Sequence, residues 1–216
     1  MLERMDAFFA ARISGYEEHM RNNIAFAPVF YPETARLLPL KSGMKFLDLG
    51  CGTGLELDEI YKLCPLTDTT GIDLCGPMLE ELKKKPYAER LSLLQGSYFD
   101  VPFGENVFDA AVSVESLHHF TAERKRPLYK KLYQALKAGG VYVETDYAAT
   151  DDAEETFYFA EYERMARGAE PGEFHYDTPL TKAHTMALLQ EAGFETVTLH
   201  KTYENTAVIM AQKERL

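Results

Sequence analysis

No apolar run in this 216-residue chain approaches the roughly 18 residues that a membrane-spanning helix needs. The opening residues, Met1-Leu2-Glu3-Arg4-Met5-Asp6, lack the charged-then-apolar pattern of a secretory signal. Cysteine is scarce: Cys51, Cys64 and Cys75 form an odd set without Cys-x-x-Cys spacing. That set fits a reducing cytosol better than a disulfide framework. Positive charge is also in short supply, with 23 Lys and Arg against 34 Asp and Glu and a net charge of −11. Nucleic-acid binders normally show a basic face, because phosphate contacts supply most of their affinity. The dense basic runs, Lys83–Lys85 and Arg124–Arg126 with Lys130 and Lys131, sit among acidic neighbours and read as solvated helix faces. No spacing is diagnostic of a metal site. Asp151, Asp152, Glu154 and Glu155 read as an acidic helix start, which the positive helix end favours. The expectation is a cytoplasmic monomer or homodimer with no metal, no membrane partner and no nucleic-acid partner.

Hydrophobic residues make up 46% of the chain, enough for a sizeable core. The most informative segment is Phe46–Glu56, Phe-Leu-Asp-Leu-Gly-Cys-Gly-Thr-Gly-Leu-Glu. An apolar strand runs into Asp48, then Gly50, Gly52 and Gly54 alternate, then a helix-forming run covers Leu55–Leu63. Glycines admit positive φ and let a ligand approach with no Cβ in the way. A dinucleotide fingerprint requires Gly-x-Gly-x-x-Gly. Counted from Gly50, Leu55 stands at the last position; counted from Gly52, Leu57 does.

Around this motif the chain alternates apolar strands with helices, which predicts a parallel α/β sheet with helices on both faces. Strands are expected at Met44–Leu49, Thr69–Leu74, Leu91–Gln95, Phe108–Val114 and Val141–Thr145. Helices are expected at Leu55–Leu63, Met78–Lys85, Pro127–Leu136 (with Gly139-Gly140 as its stop) and Thr181–Ala192. Glu195–Lys201 and Thr206–Gln212 are joined by only Tyr203-Glu204-Asn205, so they read as an antiparallel hairpin. Residues 1–40 read as a helical cap punctuated by Pro28, Pro32 and Pro39. Residues 41–216 read as the main domain, with an acidic, aromatic insert at about 146–176. Asp73, at the tip of the second strand, lies 25 positions after Asp48, suited to accept hydrogen bonds from ribose hydroxyls.

The ordered set of Asp48-x-Gly50-x-Gly52-x-Gly54, Asp73, the Gly96–Phe103 loop, Phe108–Phe120, Leu136-x-x-Gly139-Gly140 and the terminal hairpin resembles the class I S-adenosylmethionine-dependent methyltransferases of small-molecule type. The resemblance covers about residues 41–216. It implies a Rossmann-like fold: a seven-stranded, mostly parallel sheet with an antiparallel C-terminal hairpin strand. It implies S-adenosyl-L-methionine as cofactor and a small-molecule methyl acceptor, with O-, N- and C-methylation left open. Gly50, Cys51, Gly52 and Gly54 would hold the methionine end with Asp48 near the amino group. Asp73 would take the ribose, and Leu74 and Met78 would flank the adenine. Ser97 stands where the family normally carries an acid to the adenine; Ser97, the Tyr98 amide or Asp100 would serve instead. Ser113, Val114 and Glu115 would line the methionine end.

Methyl transfer from a sulfonium needs positioning, exclusion of water and sometimes a base. His118, His119 and Glu115 are the candidate catalytic residues. Tyr16 and His19 on the cap, and Tyr147 and His175 in and around the insert, are the candidate acceptor contacts. Two other readings are kept: a tRNA modifier resembling the wobble-uridine carboxymethyl-transfer branch, and a non-catalytic cofactor-binding module. An open basic groove would favour the first and a blocked pocket the second.

Overall fold

The computed structural model describes residues 2–170 and 172–215. A short strand and three helices come first: β1 (Glu3–Arg4), α1 (Met5–Arg12), α2 (Tyr16–Asn23) and α3 (Ala27–Leu37). Then follow β2 (Lys45–Leu49), α4 (Leu55–Leu63), β3 (Asp68–Asp73), α5 (Gly76–Leu82), β4 (Leu91–Gln95) and β5 (Phe108–Val114). The chain continues with α6 (Ala122–Ala135), β6 (Leu136–Tyr147), α7 (Asp152–Ala166), β7 (Phe174–His175), α8 (Lys182–Ala192), β8 (Thr196–Tyr203) and β9 (Thr206–Gln212).

Seven strands form one sheet in the order β4-β3-β2-β5-β6-β9-β8. The first five run parallel; β9 pairs antiparallel with both β6 and β8. This is the architecture that the apolar alternation and the short Glu204-Asn205 turn predict. The chain leaves β2 toward β3 and β4, then returns to the other side of β2 for β5. Strand tips beside such a reversal splay apart and open a crevice. Both sheet faces are covered. Phe46, Leu57, Ile60, Val112 and Val143 pack with Phe30 and Ala35 of α3 on one face. Leu47, Ala111, Leu128, Leu132 and Leu189 pack on the other.

Several boundaries differ from the sequence expectation, most instructively those near prolines and glycines. Helix α6 begins at Ala122, so Pro127 lies inside it. One missing N–H is tolerated where Leu128, Tyr129, Leu132 and Ala135 bury a full apolar stripe. The same helix ends at Ala135, not at the glycine pair. Gly139 (φ 74°) instead lies within β6, where the ladder with β5 shifts register between Phe108 and Ala110. Likewise α3 starts at Ala27 and carries Pro32 internally. A further element has no counterpart in the sequence reading: β1 pairs antiparallel with β7, tying the N-terminal segment to the end of the insert.

Candidate active site

The tip of β2 turns through Gly50–Gly54 in a chain of backbone bonds. The Gly50 and Cys51 amides donate to Ile72 O (2.8 and 3.2 Å), and Gly54 N donates to Cys51 O (2.8 Å). Asp73 clamps the turn from β3. Its Oδ2 accepts from Gly52 N and its Oδ1 from Cys75 N, both at 2.8 Å. The glycines have different tasks. A Cβ on Gly50 would meet Ser116 Oγ at 2.1 Å, whereas one on Gly52 would project into open space, 4.0 Å from Tyr16 Oη. The cavity above the turn encloses about 710 Å³, mouth included.

Acids surround this cavity. Asp6, Glu56, Asp73, Glu115 and Glu173 line it, and no Lys or Arg does among the described residues. Asp48 lies fully buried behind the turn, and neither of its carboxylate oxygens has a hydrogen-bond partner. Thr53 Oγ1 and Glu56 Oε1 are similarly buried and unpartnered. Burial pushes Asp48 up to about 7, with Glu56 opposing the rise and Asp73 adding to it. Burial and the Asp48 charge drive Glu56 up as well. Burial also raises Asp73 to about 6 against the two amides that hold it. Buried carboxylates without counter-charge are costly. A cationic ligand relieves that cost, and a pyrophosphate would add to it. S-adenosylmethionine, with one sulfonium and one ammonium, fits this set of residues.

A second, larger cavity opens beside the first. Phe9, Tyr16, Glu115 and His119 line both, so these four frame the port between them. Glu115 sits there with φ 48°, a strained left-handed conformation for a side chain of its size. Its carboxylate accepts from Thr206 Oγ1 at 3.0 Å. Burial raises it to about 7, opposed by the charge of His118. His118 faces the second cavity from the short 3-10 turn Leu117–His119. Its Nδ1 lies 2.5 Å from Asp146 Oδ1, while Asp146 Oδ2 accepts from the Leu117 and His118 amides at 2.6 and 3.1 Å. Nε2 is left toward Asp177 Oδ1 at 3.7 Å. Burial disfavours a charged His118, but Asp146, Glu115 and Asp177 together raise it to about 9. His119 behaves oppositely: burial and the neighbouring His118 charge lower it to about 4. Phe8 stacks on His175 with ring centres 3.4 Å apart and closes the wall from α1.

Residues 46–140 match a protein family described as a methyltransferase domain. The sterol 24-C-methyltransferase erg6 of Aspergillus fumigatus is 30% identical over 74% of this chain and 42% of its own length. The cycloartenol-C-24-methyltransferase 1 of Oryza sativa is 30% identical over 88% of this chain and 53% of its own. Human N-acetylserotonin methyltransferase, solved in complex with the cofactor, superimposes with a TM-score of 0.64 at 21% identity, covering 88% of this chain and 52% of that one. The chain carries a class I S-adenosylmethionine-dependent methyltransferase domain. It spans about half or less of the length of these curated relatives.

Within that methyltransferase frame the expected residues fall into three groups. Gly50, Cys51, Gly52, Gly54, Asp73, Leu74, Met78, Ser97, Tyr98 and Val114 line the first cavity. Tyr16, His19, Tyr147, His175 and His118 line the second one, with Glu115 and His119 at the port. Asp48, buried behind the turn, lines neither cavity, and nor does Ser113. It points to the opposite face, its hydroxyl 2.7 Å from Tyr142 Oη in a buried network with Glu144, because side chains alternate along β5. Asp100 is exposed and lines neither cavity. The insert contributes its two ends, Tyr147 and His175, whereas helix α7 buries none of its residues. Sequence reasoning missed Glu56, Asp146, Glu173 and Asp177. Asp146 had a signal, an acid at the end of an apolar strand; Asp177 and Glu173 had none.

Proposed function

We propose that this protein transfers the methyl group of S-adenosylmethionine to a small-molecule acceptor bound in the second cavity. The observation that carries the reading is the port: a donor cavity rich in uncompensated acid opens past Glu115 and His119 into a chamber walled by aromatic rings and imidazoles. The bound cofactor supplies an already activated methyl group on sulfur. The Gly50–Gly54 turn and Asp73 fix the donor, and Asp48 and Glu56 offset its positive charges. Helices α1 and α2 cover the port with Phe9 and Tyr16 and exclude water.

In the chamber, His118 is oriented by Asp146 so that Nε2 faces the acceptor side and can take a proton from a hydroxyl or amine. Its raised pKa keeps it an imidazolium at neutral pH. A positive charge arriving at the port opposes that state and brings the proton-accepting form toward neutrality. The relatives are named for sterol substrates; from them we carry over only a small-molecule acceptor. Arg12 is the one Lys or Arg lining the chamber among the described residues, which disfavours a tRNA backbone. The test is methyl transfer from labelled cofactor across a metabolite panel and bulk tRNA. Label in a small molecule is the expected result. Label in tRNA alone would replace this reading with RNA modification. Cofactor binding with no transfer to either would favour a binding module.

A further inference from the structure

We propose that Glu173 selects the adenine base of the cofactor, accepting a hydrogen bond from its exocyclic amino group; this rests on the cofactor reading above. The sheet order sets the direction in which the cofactor must lie. Strand tips run from β5, with Glu115 at the port, through β2 with the glycine turn and β3 with Asp73, to β4, with Gly96 and Ser97 just beyond its end. Three inter-strand steps span about 14 Å. With the methyl at the port and the ribose at Asp73, the base extends to the β4 end.

At that end Glu173 closes the cavity. Its Oε1 is already engaged, accepting from Ser97 Oγ at 2.6 Å and from Arg124 at 3.1 Å. Its Oε2 has no hydrogen-bond partner among the described residues. The side chain is only 15% exposed. Its backbone is also pinned: Met5 N donates to Glu173 O at 3.0 Å, just before the β1–β7 pairing. Ser97 spends its hydroxyl on Glu173 and so serves as a positioning residue. Asp6, the acid that the cap brings to the same cavity, also has an unpartnered buried oxygen, Oδ1, with Arg4 Nε 3.6 Å away; it lies on α1, so its substitution separates the two carboxylates in the test below. A held carboxylate with one free oxygen accepts from an amino group and repels a carbonyl, so it discriminates adenine from a 6-oxo purine. The residue comes from the insert, 76 positions after Ser97, and the β1–β7 pairing beside it ties its backbone to the N-terminal segment.

The experiment measures dissociation constants by calorimetry for S-adenosylhomocysteine and S-inosylhomocysteine, which differ in amino versus oxo at purine position 6. The protein with Glu173 should prefer the adenosine form by at least about tenfold. Glu173→Gln retains an oxygen for Ser97 and Arg124 but presents an amide N–H₂, so the preference should shrink to near parity or reverse. Asp73→Ala should weaken both compounds equally, and Asp6→Asn should leave the preference in place. A Glu173→Gln protein that keeps its preference would overturn the assignment while leaving the cofactor reading intact. If the unsubstituted protein binds neither compound, the cofactor reading falls and this one with it. A purely structural role for Glu173 would show as equal loss for both compounds, and that too overturns it.

Discussion

The two cavities that share the Glu115 port are built differently. The donor cavity is made of backbone. Its turn is held by Ile72 O and by Asp73, and its close approaches require hydrogen rather than a side chain at Gly50. The second cavity is made of side chains delivered by α1, α2, the turn after β5, the ends of the insert and the Tyr203–Thr206 hairpin. A site held by the backbone of a packed sheet tolerates few substitutions and serves one ligand. One walled by loops and cap helices can change its acceptor without disturbing the sheet.

The sharpest way to break that comparison is at His118. His118→Ala should lower turnover by about 10²–10⁴-fold and leave cofactor affinity unchanged by calorimetry. Activity of the unsubstituted protein should rise with pH as the imidazolium loses its proton, with the limb below the value of about 9 of the free protein. Equal losses in turnover and cofactor affinity would show that the two cavities are one site. Next in size is Asp73→Ala, expected to weaken cofactor binding by about 1–3 kcal/mol, because it removes both a ligand contact and the clamp on Gly52. An unchanged dissociation constant would remove Asp73 from the donor site.

The same division explains what the sequence discloses. The donor turn is legible because its requirements are local. An acid at a strand end and glycines where φ must be positive leave a mark within a dozen residues, and Asp73 repeats it one crossover later. The strands and the terminal hairpin are legible for the same reason. The acceptor side is not. Asp146 meets His118 across 28 positions, and Asp177 approaches His119 across 58, with no periodicity to announce either. Ser113 shows the limit of reading near a motif. It adjoins Val114, which does line the cavity, but strand alternation turns its hydroxyl toward Tyr142. The error at Pro127 has another origin: burial of the α6 stripe outweighs the local signal of one proline.

A smaller effect tests whether the donor cavity trades stability for binding. Asp48 has a folded pKa of about 7, raised from the ordinary carboxylate range by burial. An acid raised in this direction stabilises the fold below its unfolded pKa, near 4, and that contribution is lost as pH climbs through about 7. Asp48→Asn should therefore raise the melting temperature of the cofactor-free protein at pH 8 by about 2–4 °C, with no gain at pH 4, while weakening cofactor binding. A gain that persists at low pH would place the effect in packing and not in charge.

The smallest expected effect bears on the cap. Lys85 lies between Glu17 of α2 and Asp58 of α4, 2.9 Å from each, and Arg21 reaches the same Asp58 oxygen at 2.9 Å. These partly exposed pairs anchor the helix that carries Tyr16 and His19. Such pairs contribute at most about 1 kcal/mol, so Lys85→Ala should barely move the melting temperature. It should nevertheless raise the acceptor KM by about two- to threefold, because α2 walls the second cavity, while the donor dissociation constant changes less. Salt should mimic the substitution, since screening weakens the same pairs. If donor affinity falls as far as acceptor affinity does, α2 serves the donor through Tyr16 as much as it serves the acceptor. The port would then mark a shared wall and not a boundary.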